Sequence, residues 1–187
     1  MSAETLSDLE RLLAEQDEPQ LNADEYKRVF RQHPAGVAVV TFNGPGAEAA
    51  GPVPVGFTAT SVISVSAAPP LLAFSIASTS SSWPALSQTG TVVVNFLDGP
   101  SAHLSTTFAT SGIDRFADAP WHRLPTGEPT LTEACARVRG RVVQRIPAGD
   151  SYLVTLRALS AQIPRTGSPL VYHDRSYHQI GGHSRLA

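Results

Sequence analysis

The chain reads as a mainly β protein: an antiparallel sheet closed into a barrel, with a few helices. Three observations predict this. Short apolar, β-branched runs recur through the middle of the sequence. The 14 glycines and 15 prolines punctuate those runs as turns and do not gather into a low-complexity tract. Most of the segments between runs are too short for the dozen-residue crossover that parallel pairing needs.

Residues 3–21 carry Leu6, Leu9, Leu12 and Leu13 at helical spacing among Glu, Asp and Arg, which predicts an amphipathic helix packed on the domain or on a subunit. A second helix starts near Asn22 or Asp24, either able to cap, and is stopped near Gln32 by His33-Pro34. Gly36 to Phe42 is apolar throughout, as a strand covered on both sides requires. After a Gly/Ala/Pro loop at 43–51, Pro54 to Ser66, Pro70 to Ser78 and Thr91 to Leu97 have strand composition, with a Pro-Pro turn and a short helical stretch between them. Ala102 to Thr110 reads as an interior helix, and 111–133 as a long loop placed to carry function. Arg137 to Ile146 alternates, with Arg137, Arg139 and Arg141 on one face, and Pro147-Ala148-Gly149-Asp150 turns it back into Ser151 to Leu159. An N-terminal extension (1–21) and one domain (22–187) are thus expected.

Composition excludes several classes of function. A formal charge of -2, from 14 basic and 16 acidic residues, gives no field to attract nucleic acid or an anionic membrane. No window approaches the ~18 apolar residues of a membrane helix. The single cysteine, Cys135, reads as a small buried thiol, and the cytoplasm is the expected compartment. Gly44 to Gly51 lacks the spacing and the receiving helix of a dinucleotide fingerprint, and no phosphate-loop motif is present. His173, His178 and His183 fit no zinc spacing, so no metal is expected. The arginine face at 137–141 reads as solvated and paired with carboxylates, and Trp121-His122 as loop packing or a pocket cover.

Two segments carry chemistry. Gly56 to Ser66 is far denser in hydroxyls than a buried strand needs, and neutral hydroxyl and backbone groups suit a planar ligand with a polar edge. Ser75 to Leu86 ends a strand in five consecutive hydroxyl residues, Ser78 to Ser82, before a helix with proline in its first turn. A helix start offers unpaired N–H groups to a phosphate.

In order along the chain stand Phe30-Arg31, Pro34, Gly36 to Thr41, Gly56, Thr58 to Ser61, Ser64 to Ser66, Pro69 to Leu71 and Ser75 to Ser81. Val94 to Leu97, Arg115-Phe116, Gly127 to Pro129 and Pro169 to His173 follow. Over residues 24–180 this order resembles the flavin reductase-like, FMN-binding split-barrel family, the reductase component of two-component flavin-dependent monooxygenases. The resemblance implies a split barrel of antiparallel Greek-key type. It also implies an NAD(P)H:flavin oxidoreductase that binds FMN, with FAD the alternative flavin and NADH or NADPH as co-substrate. A homodimer that passes reduced flavin to a partner monooxygenase is implied too.

By the same resemblance Thr58, Ala59, Thr60, Ser61, Ser75 and Ile76 line the ring and ribityl chain, and Ser80, Ser81 and Ser82 hold the phosphate. Hydride passes between two cofactors, so no side chain is expected as catalytic acid or base; Ser151 and Tyr172 are nicotinamide-side candidates. Ser151 stands where the family has histidine, and Thr60 where it has asparagine. A serine neither titrates near neutrality nor stacks on a ring. A non-catalytic FMN-binding electron carrier or sensor is the alternative reading.

Overall fold

A computed structural model describes residues 19–46 and 51–186. The predicted leader helix lies outside the described residues except at positions 19–21, which are not helical. The first described helix, α1 (Ala23–Phe30), starts where the sequence predicts. Asn22 accepts from the backbone N–H of Asp24 and Glu25, and the Glu25 carboxylate accepts the Asn22 N–H in return.

Among the described residues twelve strands follow: β1 (Ala35–Gly36), β2 (Ala38–Gly44), β3 (Val53–Ala59), β4 (Ile63–Ala67), β5 (Pro70–Ala77), β6 (Thr91–Phe96), β7 (Trp121–Arg123), β8 (Pro129–Leu131), β9 (Ala136–Ala148), β10 (Ser151–Gln162), β11 (Leu170–His173) and β12 (Ser176–Gln179). A four-residue helix, α2 (Trp83–Leu86), and the longer α3 (Ala102–Ala109) complete the set. Seven strands form one antiparallel sheet in the order β3-β2-β6-β9-β10-β5-β4.

That order makes the sheet roll. β3 and β4 are its two edges, yet only Thr60-Ser61-Val62 separates them in the chain. Laid flat, the edges would be about 29 Å apart, whereas this link reaches at most about 14 Å. The edges must therefore approach each other, as in a barrel. The Ser61 hydroxyl, bonded to the N–H (2.9 Å) and C=O (3.2 Å) of Ser75 on β5, holds the link down. The predicted single strand from Pro54 to Ser66 is thus two strands, broken where the chain steps from one edge to the other.

The long β9–β10 hairpin closes on Gly149-Asp150, with Gly149 at φ 60°, the left-handed first position that glycine supplies in two-residue loops. The segment 111–133, expected as a loop, contains the small β7–β8 hairpin. The C-terminal β11–β12 hairpin was not anticipated; β11 also pairs with β1.

Two apolar clusters lie on opposite faces of β2. Ala38, Val40 and Phe42 join Phe57, Phe74, Val94, Val154 and Leu156 inside the rolled sheet. Val37 and Val39 instead meet Leu104 and Phe108 of α3, Phe116, Leu131 and Leu170 on the outside. The prediction that this strand is covered on both sides holds, but α3 is an outer helix rather than an interior one. Polar contacts tie the outer layer down. Asn95 accepts from the Thr130 hydroxyl and the Leu131 N–H, the Thr41 hydroxyl donates to Pro129 C=O, and buried Glu128 pairs with Arg139 at 2.7 Å. Of the arginine face, Arg137 and Arg139 are partly buried under this layer, Arg139 with the expected carboxylate partner, while Arg141 stays exposed. Cys135 is half-buried, its thiol donating to Phe96 C=O; burial, then the Asp98 carboxylate, push its pKa up.

Candidate functional site

The ends of β3 and β5, the turn at 77–82, α3 and the loop after it surround a cleft of about 440 Å³. Thr58, Ser75, Ile76, Ser80 and Ser81 lie on its wall, so two segments distant in sequence meet there. Thr60, Ser61 and Tyr172 line a second cleft of about 680 Å³, and Ser75 lies on both walls. The two clefts therefore adjoin at Ser75. Ala59 and Ser82 line neither: Ala59 turns into the interior cluster, and Ser82 is 1% exposed beneath the first cleft.

Local structure explains these placements. Gly56 brings α3 onto β3, since a Cβ there would stand 2.7 Å from the Phe108 ring. The Thr58 hydroxyl donates to Ser105 C=O at 2.6 Å and fixes the same helix. The hydroxyls of Thr58 and Ser61 are therefore committed to protein groups, and what they contribute is the shape of the wall. The turn leading to α2 is likewise internally bonded: Ser80 Oγ accepts the Ser82 N–H, and Ser80 C=O accepts the Trp83 N–H. With those amides used and only four residues in α2, the expected helix-start cradle contributes little positive potential. α2 itself is set by Trp83 stacking on Tyr152 at 3.8 Å and by Arg145, whose guanidinium donates to Leu86 and Thr89 C=O.

The positive charge comes from a residue the sequence reading left without a role. Arg115 lines the first cleft beside Ser80 and Ser81. It donates to Gly56 C=O (2.7 Å), Thr110 C=O (2.8 Å) and the Ser82 hydroxyl (3.1 Å), and among the described residues it makes no ion pair. Burial pulls its pKa below the ordinary arginine value. The signal was present in the sequence: no lysine or arginine occurs between Arg31 and Arg115. Ser151 lines neither cleft; it pairs with Ala77 on β5, its hydroxyl donating to Asp150 at 2.9 Å.

Lys27, Arg31 and Arg175 also line the second cleft, with Phe30 and Tyr26 of α1. Leu21, Tyr26, Val29 and Phe30 are each more than half exposed, so this end of the molecule presents apolar surface as well as charge. His173 and His178 face each other across β11 and β12 with ring centroids 5.9 Å apart. No cluster of three or more metal-ligating side chains occurs among the described residues. None of their helices is long and apolar enough to cross a membrane.

Comparison with known proteins gives a consistent result. The family described as Flavin reductase like domain matches residues 30–181. The chain is 42% identical over 162 residues to an NADH:FMN oxidoreductase of Rhodococcus erythropolis, covering 84% of this chain and 81% of that one. Its fold is similar to that of a flavin reductase domain protein from Arthrobacter sp. FB24, with a TM-score of 0.79 and 34% identity over 86% of this chain and 96% of the other. It is also similar to the flavin reductase HpaC complexed with NADP+, with a TM-score of 0.76 and 27% identity, covering 85% and 98% of the two chains.

Proposed function

The chain belongs to the flavin reductase-like family, and from that premise we propose that it is an NAD(P)H:flavin oxidoreductase that binds FMN along the two adjoining clefts. The observation that carries this reading is Arg115 beside Ser80 and Ser81. A half-buried guanidinium with no carboxylate partner among the described residues, set beside two serines, suits a phosphomonoester. Ile76 and Phe108 add apolar wall for the uncharged part of the ligand.

Arg115, Ser80 and Ser81 hold the phosphate in this reading. Thr58 and Ile76 shape the passage, Ala59 packs behind it in the interior cluster, and Thr60, Ser61 and Ser75 border the ring where the clefts meet. When bound, the flavin supplies the acceptor for a hydride from NADH or NADPH. The chain's own contribution is to bind and orient the two reactants and to keep water from between them, so no side chain serves as obligate acid or base. Ser82 stays under the site, where its hydroxyl braces Arg115.

The finer parts of the proposal are a homodimer, covering the exposed apolar face of α1, reduced flavin passed to a partner monooxygenase, and residence in the cytoplasm. The test is anaerobic mixing of protein, FMN and each nicotinamide while the visible flavin band is followed. Bleaching much faster than with free flavin is expected. Bleaching no faster would overturn the proposal. In that case FMN retained through gel filtration would identify the second reading, an electron carrier, which draws on Ser151 standing where the family has histidine.

A further inference from the structure

This inference rests on the reductase reading and concerns the second reactant. A nicotinamide dinucleotide brings a pyrophosphate to the protein, and Arg115 and the serines of the first cleft are already assigned to the flavin. The second cleft, which adjoins the first at Ser75, holds Lys27, Arg31 and Arg175 on its wall. None of the three makes an ion pair among the described residues, whereas Arg139 and Arg165 both have carboxylates. Asp174 is the one carboxylate on the wall of this cleft.

The backbone of Arg175 adds an independent observation. β11 and β12 are joined by Asp174-Arg175 alone, and both residues are left-handed, at φ 43° and 65°. Two-residue hairpins of this kind favour asparagine followed by glycine, because a Cβ is strained at such angles. A long arginine here costs stability that glycine would not, and strain of this sort gathers at ligand sites. The turn is also locked to α1, since the Asp174 N–H donates to Arg31 C=O at 3.3 Å. That bond fixes Arg31 against the turn that carries Arg175, and both arginines line the cleft that Thr60 and Ser61 also line.

We infer that Lys27, Arg31 and Arg175 take the pyrophosphate of the nicotinamide dinucleotide, with Arg175 determining the affinity. The experiment titrates NAD+ into the full-length protein by calorimetry, without flavin, and measures KM and kcat for NADH with FMN saturating. Arg175→Gly and Arg31→Gln are compared with Arg28→Ala, which removes a charge from the same helix away from this cleft.

For Arg175→Gly the expected result is a Kd for NAD+ and a KM for NADH raised about tenfold, a small change in kcat, an unaltered FMN Kd and a Tm equal to or above that of the parent. Arg31→Gln should behave alike in affinity, and Arg28→Ala should leave Kd and KM where they were. Nicotinamide riboside, which has no pyrophosphate, should bind parent and variants equally. Kd and KM within about twofold of the parent in both arginine variants would overturn the inference, as would an equal loss for nicotinamide riboside. If the parent fails to bleach FMN but the NAD+ affinities shift as stated, the reductase reading falls and this site stands.

Discussion

The two faces of β2 are built by different means. Toward the interior, Ala38, Val40 and Phe42 join one apolar cluster, most of whose members are placed by strand alternation, with Leu86 of α2 added. Toward the outside, Val39 shares its face with Thr41, and the layer above is tied down by hydrogen bonds between residues that are far apart in sequence. Thr41 reaches Pro129, Asn95 reaches Thr130, and Thr58 reaches Ser105. The interior makes the rolled sheet, and the outer layer completes the first cleft. Arg115, Phe108 and Ala109, which complete the first cleft, all belong to α3 or the loop after it. A lesion in the outer layer should therefore alter function or conditional stability while the interior stays packed.

The largest effect is expected at Glu128, which joins the β7–β8 hairpin to the sheet. Burial alone would raise its pKa, but hydrogen bonds from Arg139, Thr126 and Thr91 outweigh that and hold the carboxyl at about 2, against an ordinary 4.5. A carboxyl depressed in the folded state adds stability that is fully present above about pH 4.5 and is lost as pH falls toward 2. The shift corresponds to roughly 3 kcal/mol at neutral pH. Glu128→Gln should be less stable than the parent by up to that amount at pH 7, and the gap should shrink by more than half by about pH 3. Urea melts across this range test it. A gap that does not change with pH would mean the carboxylate charge is not what secures the hairpin.

Arg115→Ala is next. Losing a charge-assisted contact to a phosphate should weaken FMN by tenfold to a hundredfold, about 2 kcal/mol. Riboflavin, which lacks the phosphate, separates the two roles this residue has in the structure. If Arg115 grips phosphate, riboflavin affinity is nearly unchanged. If it only braces the loop through Gly56 and Thr110, FMN and riboflavin weaken together. Fluorescence quenching with each flavin decides between them.

Legibility in the sequence follows the same division. The interior strands were readable because each leaves a local trace: a short run rich in β-branched residues at 36–42, alternation at 137–146, and proline and glycine at the turns. The hydroxyl-rich segments at 58–61 and 75–81 stood out through composition and the order of motifs. What those hydroxyls bond to was not readable, because Thr58 to Ser105 and Ser61 to Ser75 are contacts that no short window contains. The same limit hid the hairpin within 111–133, whose strands are three residues each and are held by Asn95 and Thr41 rather than by a pattern of their own. Arg115 was recognisable as the lone cation over a long stretch, but only the fold brings it to Ser80. The break at Thr60–Val62 was invisible locally, since it is imposed by the sheet's need to bring its edges together.

The smallest effect sharpens the comparison most. Thr58→Val keeps the volume and branching of the side chain and removes only the bond to Ser105 C=O, so it should cost about 1 kcal/mol, or a Tm lower by roughly 2–4 °C in a domain of this size. Because that hydroxyl is committed to α3, FMN affinity should change by less than about threefold, far less than for Arg115→Ala. The opposite pattern, an unchanged Tm with FMN binding lost, would mean that Thr58 leaves α3 to serve the ligand directly. The wall would then act through its hydroxyls and not through the shape they maintain. Thermal melts and flavin titrations on one preparation read both quantities, and Ser105, whose own hydroxyl meets Tyr177 at 2.7 Å, keeps α3 tied to β12 in either case.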